Sequence, residues 1–218
     1  MSGTSAFEAA KSLLGDVASL LEHHPAQQDP KPGKPAGSGY GPLLRASTAL
    51  CYTAWEVYVE ECLLETVEWF LKNKEVGDLP DALRSWVGEQ NCDPWAFIGN
   101  SWQTAVLNLV RLRVEGDKQG RYGFNTASVS GVEGLYLQIL GYCPLREISW
   151  QKKTNKSVRK DISTLVVVRG EIVHKGSTPG SLNLGSVRSW AEFVRRLTEK
   201  FDEHMGEFRS GLTSGDKK

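Results

Sequence analysis

Apolar residues return at helical spacing along most of this chain. Leu13, Leu14, Val17, Leu20 and Leu21 recur every three to four residues, and the preceding Ser5-Ala6-Phe7-Glu8 has the form of a capping box. A helix is predicted from Ser5 to the pair His23 and His24. The run PAQQDPKPGKPAGSGYGP (25–42) then breaks all periodicity and reads as a linker. From Leu43 to Lys74 the pattern is unbroken. Leu43, Leu50, Val57, Leu64 and Leu71 lie seven apart, with Ala46, Ala54 and Val67 beside them, which predicts a long spine helix buried along that seam.

Three further helices are predicted over Pro80–Gln90, Pro94–Val114 and Val132–Leu140, the last opened by a second capping-box pattern, Ser130-Gly131-Val132-Glu133. An exposed loop joins the latter two. Beyond Gly141 and Pro144, the residues Ile162, Leu165, Val166, Arg169, Ile172 and Val173 keep a helical rhythm that Gly176 stops. Leu165 to Val168 also reads as a buried strand, because consecutive valines favour the pleated backbone, but no second strong strand candidate exists to pair with it. A final helix over Ser186–Arg209 carries Trp190, Phe193, Val194, Leu197, Phe201 and Met205 on one face. The expected fold is an all-α bundle with a long central helix. Its organisation is an N-terminal helical arm (1–24), a linker (25–42), a helical domain (43–210) and a fraying tail (211–218).

Composition narrows the function classes. The chain has 218 residues, 40% apolar and 24% charged, which is ordinary for a globular protein large enough to bury a core without staples. Lys+Arg and Asp+Glu balance at 26 each, so any contact with nucleic acid must come from a local patch. The N-terminus lacks a basic segment followed by an apolar one, and no stretch approaches the length of a membrane span. A cytoplasmic protein with no membrane contact is expected. Cys51, Cys62, Cys92 and Cys143 are far apart with no C-x-x-C pair, which argues for buried thiols and against a zinc or redox site.

No metal and no cofactor is expected. His23 and His24 point about 100° apart on a helix with no acidic partner nearby, so they read as a solvated helix end. Glu56, Glu60, Glu61, Glu65 and Glu68 lack the Glu-x-x-His repeats of a di-metal bundle and read as a solvated acidic face. Trp86, Trp95, Phe97 and Trp102 read as packing aromatics. Phosphate-cradling loops and hydrolase elbows are absent. Two features remain. One is the basic stretch QKKTNKSVRK (151–160), with Lys152, Lys153, Lys156, Arg159 and Lys160. The other is Arg169-Gly170-Glu171-Ile172-Val173-His174-Lys175-Gly176, where a fixed charge at Arg169 interrupts an apolar stripe and must find a buried partner or an interface. In a straight α-helix Arg169 and His174 lie about 140° apart, so they converge only if the helix geometry changes, for which a π-type turn near Gly170 is one route.

The R-x4-H hexapeptide Arg169–His174, near the end of a late helix and followed by Lys-Gly, resembles the R-x4-6-H signature of the HEPN superfamily. The segment ALCYTAWEVYVEECLLETVEWFL (49–71) is similar to the long helix with a central aromatic-acidic pair in its RiboL-PSP-like branch. The resemblance implies a HEPN-like bundle that dimerises so that two motifs face each other, working as a metal-independent endoribonuclease. It makes Arg169 and His174 the catalytic pair. Family members often carry a polar residue directly after the arginine; Gly170 stands there in this chain, and Glu171 is the nearest side chain able to supply that contact. RNA is the implied substrate, guided by Lys152, Lys153, Lys156, Arg159, Lys160 and Lys175, and a toxin or antiviral effector restrained by an antitoxin or regulatory protein is the implied role. The alternative is a non-catalytic HEPN-like module that binds RNA, nucleotide or a protein partner.

Overall fold

A computed structural model describes residues 4–24, 40–90, 101–116, 123–176 and 182–214. Seven α-helices run through them: α1 Ser5–Glu22, α2 Gly41–Asn73, α3 Asp81–Gly88, α4 Trp102–Glu115, α5 Val129–Leu140, α6 Asn155–Lys175 and α7 Leu184–Ser214. The protein is all-α. Among the described residues there is no strand, only an isolated bridge between Trp150 and Lys153. Leu165 to Val168 is helical. Of the expected linker, 25–39 lies outside the described residues, while Tyr40 precedes α2 and Gly41-Pro42 form its first turn, proline being tolerated where no intrahelical N–H is needed.

The spine helix α2 buries Leu44, Ser47, Thr48, Cys51, Tyr52, Ala54, Trp55, Tyr58, Val59, Cys62, Leu63, Thr66, Val67, Phe70 and Leu71. This is a broad face at 3.6-residue spacing, not the expected seam. Of the heptad residues only Leu71 is buried; Leu43, Leu50, Val57 and Leu64 are half-buried at the flank. A strict seven-residue repeat drifts by about 20° per heptad on a straight helix, so the seam runs along the flank and enters the core only at its last member, Leu71. Helices α1 and α7 pack against α2, α4 and α6 pack elsewhere along it, and α3 packs on α5. The segment expected as an arm is therefore part of the bundle: Ala6, Ala10, Val17 and Leu21 are core residues.

Phe201 of α7 centres the core, its ring edge-on to Tyr136 at 5.1 Å and to Trp55 and Tyr58 at 5.7 Å. The polar ends of these aromatics are satisfied. Tyr136 donates to the Val59 carbonyl at 2.7 Å, and the Trp55 indole donates to the Ala127 carbonyl at 2.9 Å. Cys51, Cys62 and Cys143 are free and buried, and burial pushes the Cys51 and Cys143 thiols up to about 12, so they stay protonated. Cys92, Trp95 and Phe97 lie outside the described residues. Trp86 is buried and Trp102 half-buried, both packed into the core as expected.

Both predicted capping boxes are displaced. Thr4, not Ser5, caps α1 by accepting from the Phe7 amide, and its hydroxyl donates to Asp202 at 2.6 Å. Ser128, not Ser130, caps α5 by accepting from Gly131. The pair His23 and His24 is not uniformly solvated. His23 is exposed, but His24 is only 4% exposed, with its ring 5.2 Å from Tyr40. The acidic stretch is likewise not one solvated face. Glu65 accepts from the Ala6 amide at 2.9 Å, closing the start of α1, and Glu60 is half-buried. Burial, with Glu56, Glu61 and Glu115 nearby, raises the Glu60 carboxyl to about 7. No helix among the described residues is long and apolar enough to cross a membrane.

Candidate functional site

Helix α6 carries the Arg169–His174 motif and, in Lys156, Arg159 and Lys160, the second part of the basic stretch, while Lys152 and Lys153 precede it. Thr154 caps it by accepting from the Ser157 amide, and the Asn155 side chain donates to the carbonyls of Leu145 and Ile148 at 2.9 Å. These contacts tie its first turn to the preceding 3-10 turn, Pro144–Arg146. At the other end Gly176 takes the left-handed conformation at φ 59°, where a side chain would be strained, and returns its N–H to the Ile172 carbonyl at 3.1 Å.

The two halves of α6 differ in burial. The first anchors the helix through Val158, Ile162 and Leu165. After Leu165 no residue is fully buried. Val166, Val168, Arg169, Gly170, Glu171 and Ile172 are half-buried, His174 and Lys175 are exposed, and Val167 and Val173 are 60% and 51% exposed. The exposed large hydrophobic residues of the described chain are Val76, Leu112 and these two valines.

The helix is regular α from Asn155 to Lys175, without the change of geometry that would bring the motif residues together. Arg169 and His174 therefore sit about 140° apart around the axis. Arg169 lies on the side facing α2, its guanidinium 5.0 Å from the centre of the Tyr52 ring. His174 shares the outward line of Lys156, Lys160, Ser163 and Val167, with Lys160 about 21 Å away by helical rise. One chain does not bring the pair into contact.

Tyr52 and Glu56 stand in the segment that carries the resemblance; Tyr52 is not among the residues the sequence points to, and Glu56, expected on a solvated acidic face, is half-buried. They lie one turn apart on α2, and the Tyr52 hydroxyl donates to Glu56 Oε1 at 2.8 Å while accepting from the Ala127 amide at 2.9 Å. The signal available was this i, i+4 spacing of an aromatic and an acid on a helix that must bury one face. Burial first, and then the Glu56 charge, push the Tyr52 phenol above its ordinary range, so the ring stays neutral at all ordinary pH.

The basic stretch is divided between solvent and the protein itself. Arg159 forms a two-pronged pair with Glu133 of α5, with its Nη2 3.0 Å from Oε2, and Arg146 stands 3.9 Å from the same carboxylate. That pair holds Glu133 below the usual carboxylate range. Lys153 is paired with Asp161, and its ammonium lies 4.7 Å from the Phe193 ring centre. An open cleft of about 350 Å³ between α6 and α7 is lined by this pair, Thr164, Val168 and Trp190, on a side of α6 facing neither Arg169 nor His174. Lys152, Lys156 and Lys160 are exposed, as is Lys175. Glu171 is half-buried beside Gly170, where an added Cβ would meet nothing within 4 Å.

Among the described residues no group of three or more His, Cys, Asp or Glu side chains is placed to hold a metal ion. No protein-family model matches the sequence, and no curated protein or solved structure is detectably similar to it.

Proposed function

We propose that this protein is a metal-independent endoribonuclease of the HEPN type, a toxin or antiviral effector that cuts cellular RNA through a site shared by two copies of the chain. The observation that carries this reading is an uncovered face on the second half of α6. The helix that bears Arg169 and His174 leaves two valines more than half exposed, around Gly170, where a neighbouring helix meets no side chain. Ser163, Val166, Val167, Gly170, Val173 and His174 form one stripe along it. The occupant that fits is the same stripe of a second copy, because a two-fold axis pairs a patch with itself.

The chemistry also calls for two copies. In-line cleavage without metal forms a bond from the 2′-oxygen to phosphorus and breaks the bond from phosphorus to the 5′-oxygen. One group takes the 2′-hydroxyl proton, another gives a proton to the departing oxygen, and fixed positive charge stabilises the crowded phosphorus between them. Histidine titrates near neutrality and suits either proton role; arginine remains charged. The motif offers one histidine per chain, so a dimer supplies both proton roles and two arginines. The products are a 2′,3′-cyclic phosphate and a 5′-hydroxyl.

The deciding experiment incubates total RNA with the protein in EDTA, comparing wild type, Arg169→Ala and His174→Ala. Cleavage by wild type alone, with melting temperatures unchanged in the His174 variant, supports the reading. Cleavage abolished by EDTA, or retained by His174→Ala, sinks it. A second reading, a non-catalytic module that binds RNA, nucleotide or a regulatory protein, is favoured by the separation of Arg169 from His174 within one chain. It predicts RNA or partner binding without any cleavage.

A further inference from the structure

Two arginines on α6 are treated in opposite ways. The Arg159 guanidinium is neutralised by the Glu133 carboxylate. Arg169 meets an aromatic ring instead, and among the described residues no carboxylate stands within ion-pair reach of it. The difference is chemical. A carboxylate cancels the charge it holds, whereas a ring attracts a cation through its quadrupole and leaves the positive charge in place. A position that only needed filling would take leucine, and a position that only needed a cross-helix tie would take a carboxylate partner as Arg159 does.

The ring that holds Arg169 is itself fixed. Tyr52 is 1% exposed, and its hydroxyl is occupied on both sides, by the Ala127 amide at 2.9 Å and by Glu56 at 2.8 Å. Ala127 is clamped a second time, because its carbonyl accepts from the Trp55 indole at 2.9 Å. Swinging the ring would break a hydrogen bond within α2 and another to the segment before α5, so a fixed platform on α2 sets where the Arg169 guanidinium rests.

We propose that Tyr52, anchored by Glu56 and the Ala127 amide, is the positioning residue for Arg169, holding its guanidinium in place with the charge still available to a phosphate oxygen. This rests on the ribonuclease reading. Tyr52 touches no substrate; it acts through the arginine.

The test compares wild type, Tyr52→Leu, Tyr52→Phe and Arg169→Ala on one RNA oligonucleotide that the wild type cleaves, with kcat and KM measured separately. The Arg169 Nε–H signal is followed by NMR in the same proteins. Loss of the ring in Tyr52→Leu is expected to lower kcat by about 2- to 30-fold, the range of a partly desolvated cation–π contact, with a smaller change in KM. Tyr52→Phe, which keeps the ring, recovers most of that loss. In the wild type the Arg169 Nε–H resonance is shifted by the ring current, and the shift disappears in Tyr52→Leu. If Tyr52→Leu cleaves at the wild-type rate while Arg169→Ala does not, the positioning role is overturned and the ribonuclease reading stands. If the wild type cleaves no RNA, that reading fails and the role falls with it. Should Tyr52→Leu not fold, the wild-type resonance decides: an unshifted Arg169 signal overturns the proposal, and a shifted one together with active Tyr52→Phe upholds it.

Discussion

Replacing Val167 and Val173 together by serine tests the two-copy site without touching either motif residue. Fully burying a valine side chain is worth roughly 1.5–3 kcal/mol relative to leaving it in water. The two valines are 60% and 51% exposed in the protomer, so covering what remains exposed contributes roughly 1.7–3.3 kcal/mol per copy, or about 3 to 7 kcal/mol across a two-fold interface. Serine forfeits most of this, and at about 1.4 kcal/mol per decade the dimer should weaken by a hundred- to ten-thousand-fold. The protomer itself should hardly notice. Both side chains contribute little to its core, serine and valine have similar helix propensity, and exposed substitutions of this kind stay within about 0.5 kcal/mol. Sedimentation velocity over a wide concentration range reads the association, and a melting curve at a concentration where both proteins are monomeric reads the protomer. A double variant that associates as tightly as wild type, or a wild type that is monomeric at high micromolar concentration, would refute the reasoning.

Other consequences are checked more simply. Glu133→Gln removes the charge that ties α5 to Arg159 and is expected to destabilise by about 1–2 kcal/mol at pH 7, below the full value of a charged hydrogen bond because the pair is partly open to water. Because the Glu133 carboxyl is depressed in the folded state, its contribution is complete above the unfolded value and is lost as pH falls through the folded one; the gap between wild type and Glu133→Gln in urea melts should begin to narrow only as pH falls below the unfolded value of about 4.5. Glu60 has the opposite sign. Its folded value of about 7 lies above the unfolded one, so ionising it costs stability as pH rises from about 4.5 through 7, and Glu60→Gln should raise the melting temperature more at pH 8 than at pH 5. Reversing the charge of the exposed Lys156 and Lys160 should flatten the salt dependence of RNA binding, whereas an unchanged slope assigns them to solubility.

The all-α architecture was legible because helical periodicity is a local property that each segment of this chain repeats. The displaced caps show where local reading stops. Glu8 was expected to complete a box with Ser5, but it pairs with Lys11 at 3.4 Å, while Thr4 both caps the helix and reaches Asp202 on α7. Glu133 was expected to close a box with Ser130, yet its carboxylate serves Arg159, a partner from another helix. Each polar group had more than one possible use; a tertiary contact decided for Thr4 and Glu133, and a local i,i+3 pair for Glu8. The burial of His24 has the same origin: its cover includes Tyr40, which the sequence separates from it by the whole proline-rich run.

The candidate site was legible only as an anomaly. A charge at Arg169 inside an apolar stripe could be seen, but its answer, the Tyr52 ring, comes from a helix more than a hundred positions earlier, and no spacing rule encodes that contact. The ambiguity at Leu165 to Val168 has a related cause. Three successive valines are stiff at χ1 and disfavour an isolated helix, so a strand stood as the alternative to the helix that the longer rhythm predicts. The segment is helical because Thr154 and Gly176 cap its ends and Val158, Ile162 and Leu165 bury its first half. Those contacts do not need valine at 167 or 173, where polar residues with better propensity would serve the protomer equally well. Water-exposed, β-branched residues there lower helix propensity, a cost that burial against an apolar partner would offset. On the two-copy proposal that cover is the partner's own α6, and the same valines that blurred the helix signal in the sequence mark where the second copy docks.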